Sequence, residues 1–346
     1  MKVSERILII KNGAIGDFLL SLPTFHSIRM KFPEAYIEIM GNSEIIKLVE
    51  DRFYADKGIS IEISGFSNFF IKDGNLPDSL VNYFKSFQKI FTYLNDKDGT
   101  FANNLSKAGV KEVYPFEILS PELFQEHAVK EFSKILNPSD IGLVTEEPKI
   151  FLNESDRQFA SNFFRSHFGL FAGKSYIAIH PGSGSTKKNW PLKNFIELSE
   201  QLLKNSICNI LLLSGPAEEK SVNFSEIAKI DGIIEVKDLS LHELAAILER
   251  CDLYIGNDSG ITHLSAAVGI PTIAIFGPTN AKIWGPIGNM VKIISLNLSC
   301  SPCARDKMFG CEQMKCLELV TVNDLLKACK FFFASGKNKD KVEKSV

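Results

Sequence analysis

The chain has 346 residues, of which 45% are hydrophobic and 23% charged, and this composition fits two compact domains that each bury a core. Its 39 basic and 41 acidic residues give a formal net charge of -2, so we expect no general attraction to nucleic acid. No apolar run approaches the roughly 20 residues of a membrane-spanning helix. The apolar run near the start of the chain is too short for a signal peptide and is followed at once by polar residues. We therefore expect a cytoplasmic protein.

Short runs of β-branched residues alternate with helical patterns along the whole chain, which predicts an α/β fold with mostly parallel sheets. In the first half the predicted strands are 6–11, 35–40, 59–64, 89–94 and 111–116. In the second half they are 175–181, 208–215, 232–238, 252–257, 272–277 and 291–297. Each half therefore has the pattern of a Rossmann-like domain.

The two halves meet in a segment, about 146–173, that we predict to be helical. We place the boundary near residue 165, which gives an N-terminal domain (1–165) and a C-terminal domain (166–321), followed by a closing helix and basic tail (322–346). The domains are expected to face each other across a cleft at the C-terminal ends of both sheets, where ligands bind in open α/β folds. The tail is either a solvated terminus or a weak contact for an anionic membrane surface.

The first polar loop, "KNGAIGD", follows the first predicted strand. Gly13, Ala14 and Gly16 let a ligand approach the backbone, and Asp17 is predicted to open a helix. Asp17 either complements the helix dipole or serves as a general base. The loop lacks the G-x-G-x-x-G spacing of dinucleotide-binding enzymes, which disfavours a dehydrogenase.

The second loop, "HPGSGSTKKNWP", offers backbone donors, hydroxyl groups and two lysines after strand 175–181. Its spacing does not match the G-x-x-x-x-G-K-[ST] phosphate loop. The alternatives are an exposed linker, or a diphosphate site built from Gly182, Ser183 and one lysine. Lys188 is the preferred lysine and Lys187 the alternative.

Two further loops carry acidic residues after strands. In "SGPAEEK", Glu218 either complements a helix dipole or accepts the hydroxyls of a ribose. In "NDSGITHLSAAVG", Asp258 or Ser259 is predicted to cap a short helix, with Gly260 and His263 in its first turn. His263 is either a surface residue or a contact for an anion at the helix N-terminus.

Four of the seven cysteines cluster in "CSPCARDKMFGCEQMKC". Two alternatives remain open for them: a structural metal site, or reduced thiols packed in a C-terminal loop. The four residues are Cys300, Cys303, Cys311 and Cys316.

These motifs resemble glycosyltransferase family 9, the heptosyltransferases of lipopolysaccharide synthesis. The resemblance is clear in "ILIIKNGAIGDFLLSLP", "HPGSGSTKKNWP", "SGPAEE" and "NDSGITHLSAAVGIPTIAIFGPT", whereas 42–165 matches only in the order of its elements. It implies a GT-B fold and an inverting transfer without metal or cofactor, from an ADP-activated heptose to a lipid-linked core sugar at the inner face of the membrane. The first domain would bind the acceptor and the second the donor.

By position, Asp17 matches the family's proposed catalytic base, and Glu218 matches the carboxylate near the ribose. The residues that match contacts to the donor and its diphosphate are Gly182, Ser183, Lys188, Asp258, Ser259, Gly260 and His263.

Two departures from the family are visible. Gly13 and Ala14 stand where some members carry hydroxyl residues, and the diphosphate loop is one residue longer than in some members. Both weaken the case for heptose more than the case for sugar transfer. The alternatives are a nucleotide-sugar epimerase or hydrolase, and a non-catalytic protein that binds nucleotide sugars.

Overall fold

The computed structural model describes residues 5–117, 123–168, 175–205, 208–215, 224–296 and 298–336. Contacts between backbone positions divide the chain into two compact units, Met1–Asn153 and Glu154–Val346. We call them unit 1 and unit 2.

Unit 1 contains a five-stranded sheet in the order β3-β2-β1-β4-β5, and all of its described strand pairs are parallel. Four consecutive apolar residues of β1 are completely buried, as expected for a central strand that is covered on both faces. The strands are β1 (Arg6–Ile10), β2 (Tyr36–Gly41), β3 (Lys57–Ser60), β4 (Lys89–Thr92) and β5 (Glu112–Pro115).

Helices cover this sheet and are short. One face of the sheet packs on a cluster rich in phenylalanine that includes Phe69, Phe84 and Phe101. The helices are α1 (Ile15–Leu19), α2 (Leu22–Lys31), α3 (Ser43–Ile46), α4 (Asp78–Lys85), α5 (Thr100–Lys107) and α6 (Ala128–Ser133), with 3₁₀ turns at Phe66–Phe70 and Lys134–Ser139.

Unit 2 contains a six-stranded parallel sheet in the order β11-β10-β9-β6-β7-β8. Numbered within the unit, this is the 3-2-1-4-5-6 order of a Rossmann fold. The strands are β6 (Ser175–His180), β7 (Cys208–Leu213), β8 (Ile233–Val236), β9 (Leu253–Asn257), β10 (Thr272–Phe276) and β11 (Val291–Ser295).

The helices of unit 2 include long amphipathic ones. Helix α8 buries Phe195, Leu198 and Leu202, the apolar stripe that its sequence predicts, while Leu203 packs partly buried beside them. The helices are α7 (Glu154–Phe168), α8 (Leu192–Asn205), α9 (Leu241–Glu249), α10 (Gly260–Val268), α11 (Ala281–Trp284), α12 (Arg305–Gly310), α13 (Lys315–Glu318) and α14 (Val322–Gly336), with 3₁₀ turns at Thr186–Lys188 and Ile227–Lys229.

Each sheet has one point where the direction of strand order reverses. In unit 1 it lies between β1 and β4, and in unit 2 between β6 and β9. Ligands of open α/β sheets bind at the carboxyl ends of the strands at such a point. A ligand-binding site is therefore expected in the loops after β1, β6 and β9.

The predicted α/β class with two Rossmann-like domains of parallel sheet is confirmed, and every predicted strand overlaps an observed one. The third strand was placed wrongly at 59–64. Its ladder ends where Ile61 N–H donates to the Gly41 carbonyl at 2.9 Å, and Ser60 Oγ then accepts the Glu62 N–H and turns the chain.

The segment 146–153 is not helical, contrary to the prediction for 146–173, and a helix begins only at Glu154. Pro148 disfavours a helical conformation in the residue before it. The segment is instead held on unit 1, because the Lys149 carbonyl accepts the Tyr54 hydroxyl at 2.7 Å and Phe151 stacks on Phe53. Residues 169–174 lie outside the described part of the chain.

Helix α7 lies in unit 2, so the division between units falls before Glu154 rather than near residue 165. Arg157 pairs with Glu249 through two hydrogen bonds of 3.0 and 3.1 Å, and Arg250 donates to Ser161 Oγ at 2.7 Å. These contacts attach α7 to α9. The closing helix α14 also packs in the core of unit 2. Among the described residues, no helix is both long and apolar enough to cross a membrane.

Candidate functional site

The loop after β1 carries Asp17 in the first turn of α1, which begins at Ile15 with Ala14 as its N-cap. Asp17 is half-buried. Its Oδ2 atom lies 3.7 Å from the place that a β-carbon on Gly13 would occupy, and Gly13 has a φ of +129°, which glycine tolerates. A small residue therefore stands directly beside the carboxylate.

Lys11, the residue that follows β1, is a feature that the sequence reasoning missed. Its side chain is only 6% exposed, and its Nζ lies 4.8 Å from the ring centroid of Tyr93 and 4.1 Å from that of Phe132. Burial lowers the pKa of Lys11 to about 8, against the opposing effect of the Asp17 charge. A buried cation thus accompanies Asp17. The signal in the sequence was a lysine directly after four buried strand residues.

The loop after β6 contains the predicted diphosphate contacts. Gly182 and Ser183 are buried, and the Ser183 hydroxyl lies 2.6 Å from Asn189 Oδ1 and 2.7 Å from the Ser185 carbonyl. These contacts fold the loop on itself. The following 3₁₀ turn ends at Lys188.

The two lysines of this loop point to different partners. Lys188 Nζ lies 2.8 Å from Asp258 Oδ2, where Lys188 is 28% exposed and Asp258 8%. Lys187 Nζ instead donates to the Cys311 carbonyl at 2.6 Å. The structure therefore brings Lys188, the preferred lysine of the sequence, together with the aspartate of the loop after β9.

That next loop leads into α10, a helix of nine residues whose N-cap is Ser259. Ser259 Oγ accepts the Thr262 N–H at 3.3 Å and lies 3.3 Å from His180 Nδ1, so Ser259 rather than Asp258 is the cap. Gly260 begins the helix, and His263 is 93% buried near its first turn. The N-terminus of α10 and the Lys188–Asp258 pair therefore belong to one group of loops in unit 2.

His180 is a second residue that the sequence reasoning did not single out. It is the last residue of β6, is 3% exposed, and contacts the cap of α10. A histidine that ends a buried strand is the signal that could have found it, because a buried polar side chain needs a partner.

One predicted residue cannot be placed: Glu218 lies outside the described residues. The described part of its loop is Ser214 and Gly215, and Ser214 Oγ donates to Glu235 Oε1 at 3.1 Å. The ribose contact that the resemblance implies for Glu218 stays a prediction.

The four clustered cysteines line one cavity of about 500 Å³ and are all free thiols. Burial and the neighbouring cysteines raise the pKa of Cys316 to about 11. Within the described ranges, no three or more His, Cys, Asp or Glu side chains are grouped so that they could hold a metal ion. The segment braces the loop after β10, because Ser301 Oγ donates to the Gly277 carbonyl and Cys303 N–H to the Pro278 carbonyl.

The chain is similar to known proteins of one family. A family model described as glycosyltransferase family 9 (heptosyltransferase) matches residues 114–311. Lipooligosaccharide heptosyltransferase 2 of Haemophilus influenzae is 20% identical to this chain over 84% of the chain and 88% of that protein.

Two solved structures resemble the whole chain. The family 9 glycosyltransferase of Veillonella parvula has a TM-score of 0.78 at 19% identity and covers 97% of this chain and 99% of its own. The E. coli heptosyltransferase WaaC, solved with ADP-2-deoxy-2-fluoro heptose, has a TM-score of 0.64 at 17% identity and covers 94% of this chain and 99% of its own. These likenesses confirm the predicted GT-B fold class.

Proposed function

Since this chain belongs to glycosyltransferase family 9, the heptosyltransferases, and is a sugar transferase, we propose that it transfers a heptose from an ADP-activated donor to a core sugar of lipopolysaccharide. The transfer inverts the anomeric carbon. The single observation that carries this proposal is the Lys188–Asp258 pair beside the N-terminus of α10, at the reversal point of the unit 2 sheet.

Unit 2 binds the nucleotide diphosphate of the donor. The free N–H groups at the start of α10 and the positive end of its dipole favour a phosphate group. Lys188 adds a mobile positive charge, because its side chain is 28% exposed while its partner Asp258 is almost buried. A diphosphate with two negative charges competes with Asp258 for this ammonium group, so Lys188 turns from the carboxylate to the ligand on binding.

The same groups stabilise the leaving group. As the anomeric C–O bond breaks, negative charge grows on the departing ADP. This charge is stabilised by hydrogen bonds donated by Lys188, by the backbone of Gly182 and Ser183, and by the N-terminus of α10. These donors supply the positive charge that a divalent ion would otherwise provide, which supports a transfer without metal or cofactor.

Asp17 of unit 1 acts as the general base. It takes the proton of the acceptor hydroxyl while that oxygen bonds to the anomeric carbon on the face opposite to the leaving ADP, so the configuration inverts. Such proton transfer contributes about 10²–10⁴ in rate. The half-buried position of Asp17 and the small residues beside it support this role.

The remaining assignments follow from the family. ADP is proposed as the nucleotide because E. coli WaaC was solved with an ADP-linked heptose analogue. Glu218 is proposed to bind the ribose, and Ser259, Gly260 and His263 the donor sugar and phosphates. Unit 1 would bind a lipid-linked acceptor, and this would bring the protein into peripheral contact with the inner face of the cytoplasmic membrane.

A thermal-shift panel followed by product analysis tests the proposal. ADP and ADP-heptose are expected to raise the unfolding midpoint, because they bind only the folded protein, while UDP and UDP-sugars leave it unchanged. With a heptose-deficient lipopolysaccharide acceptor, the product should carry one added heptose. Stabilisation by UDP-sugars alone would contradict the donor, free heptose would indicate a hydrolase, and an isomerised donor would indicate an epimerase. Donor binding without any product would indicate a non-catalytic protein.

A further inference from the structure

Asn257, the last residue of β9, is completely buried and uses both ends of its side-chain amide. Its Nδ2 donates to the Pro181 carbonyl at 2.6 Å, and its Oδ1 accepts the Trp190 N–H at 2.9 Å. Both partners are backbone groups. A single side chain thus satisfies two backbone groups that would otherwise be buried without a hydrogen bond.

Those two backbone groups stand at opposite ends of the loop after β6. Pro181 begins the loop directly after His180, and Trp190 ends it just before α8. Trp190 is itself fixed, because its indole Nε1–H donates to the Val320 carbonyl at 2.9 Å and its ring packs edge-on against Phe195. The Asn257 amide therefore links the two ends of the loop through hydrogen bonds.

The loop that this amide closes carries Gly182, Ser183 and Lys188. Asp258, the partner of Lys188 at 2.8 Å, is the residue next to Asn257 in the chain. One residue therefore fixes the base of the loop while its neighbour receives the lysine from it. The backbone carbonyl of Asn257 also accepts the Thr262 hydroxyl, which connects the same point to the first turn of α10.

We propose that Asn257 is a positioning residue of the diphosphate site, which holds the loop 181–190 in register with β9 so that Lys188 and the loop backbone meet the ligand. The inference rests on the proposed function, since it assumes that this loop binds the diphosphate. Without the amide, the two ends of the loop lose their common anchor, and each ADP-binding event then has to order the loop again.

The test measures ADP affinity by calorimetry in Asn257→Ala and in Asn257→Leu, where leucine keeps the branch point and the number of heavy atoms of the side chain but makes neither hydrogen bond. Asn104→Ala is the matched control, because Asn104 of unit 1 is 3% exposed and its Nδ2 donates to the Phe69 and Ile71 carbonyls, each at 3.0 Å. Thermal unfolding of all three variants reports the stability that is lost with a buried asparagine.

We expect the dissociation constant for ADP to rise about ten-fold or more in both Asn257 variants and to stay within about two-fold in Asn104→Ala, at comparable losses of unfolding midpoint. In the double variant Asn257→Leu, Lys188→Ala, the combined loss should be smaller than the product of the single losses, because the two residues act together.

Unchanged ADP affinity in folded Asn257→Leu would overturn the inference, and so would losses that simply multiply in the double variant. If both Asn257 variants fail to fold while Asn104→Ala folds, the amide is a requirement of the fold and the positioning role is rejected. Failure of the wild-type protein to bind ADP would instead contradict the proposed function, so the two failures are distinguishable.

Discussion

Replacement of Lys188 by alanine tests both the observed ion pair of this side chain and the diphosphate contact proposed for it. In the ligand-free protein Lys188 neutralises Asp258, and in the proposed complex it binds the diphosphate. The variant removes both contacts and leaves an almost buried carboxylate beside the place where negative charge has to bind. We therefore expect a loss of ADP affinity and a loss of stability, which have to be measured separately.

The size of each effect follows from exposure and charge. A hydrogen bond between two charged groups contributes about 1.5–3 kcal/mol, so the dissociation constant for ADP should rise about 10- to 150-fold. The ion pair is partly buried, since Lys188 is 28% exposed and Asp258 only 8%, so its loss should lower the free energy of unfolding by about 1–3 kcal/mol.

Lys187→Ala is the matched control for this experiment. It removes the same type of side chain one residue away, but the Lys187 ammonium donates to the Cys311 carbonyl. Its effect on the dissociation constant should stay within about three-fold. The double variant Lys188→Ala, Asp258→Asn removes the unpaired carboxylate as well, so it should recover stability without recovering the full affinity for ADP.

Calorimetric titration with ADP and urea unfolding of each variant give both quantities. An unchanged dissociation constant in Lys188→Ala, or an equal loss in Lys187→Ala, would refute the assignment of the diphosphate to Lys188. Full recovery of ADP affinity in the double variant would show that Lys188 acts only by neutralising Asp258.

Two further predictions concern unit 1. Burial lowers the pKa of Lys11 from 10.5 to about 8, so between these pH values the unfolded chain binds more protons than the folded chain. The free energy of unfolding of the wild type, measured with urea, should therefore rise relative to that of Lys11→Met as the pH increases from 8 to 10.5. A difference that stays flat across this range would contradict the lowered pKa of the buried ammonium group. In Gly41→Ala the new β-carbon would lie 2.3 Å from the Lys11 carbonyl oxygen, so the free energy of unfolding of unit 1, measured with urea, should fall by about 1–3 kcal/mol with ADP affinity unchanged. In the control Gly142→Ala the new β-carbon meets no atom within 4 Å, so the loss should be less than about 1 kcal/mol. Equal losses in the two variants would argue against the close approach at Gly41.

The order of the elements and the positions of the candidate loops could be predicted from the sequence because both depend on local patterns. A buried parallel strand is a short apolar run, and a polar loop after it marks the ligand-binding edge of the sheet. The N-cap of α10 is an example: the sequence offers Asp258 or Ser259 before a helical pattern, and in the structure Ser259 is the cap. The local rules also located Asp17 within one turn of α1.

Contacts between distant parts of the chain could not be predicted in this way. The sequence left Lys187 and Lys188 as alternatives, because adjacent lysines have equal local patterns. They differ only through Cys311 and Asp258, which lie far along the chain. The two hydrogen bonds of the Asn257 amide are likewise long-range, as they reach back across α8, β7, β8 and α9 to Pro181 and Trp190.

The error at 146–153 has the same origin. Polar residues and a spacing compatible with a helix favoured that prediction, but the segment is not helical, and the aromatic contact of Phe151 with Phe53 and the hydrogen bond from Tyr54 hold it on unit 1. Pro148 is a local signal against a helix there, and the tertiary contacts add to it.

The rate of sugar transfer by Asp17→Asn tests the central claim most directly. The amide keeps the shape of the side chain but takes up no proton, so turnover of ADP-heptose with a saturating lipopolysaccharide acceptor should fall at least ~100-fold, while the dissociation constant for ADP stays within about two-fold. Asp78→Asn, an exposed acidic residue in the first turn of α4, should retain wild-type turnover. Turnover near the wild-type rate in Asp17→Asn would contradict the proposal that this carboxylate receives the acceptor's proton.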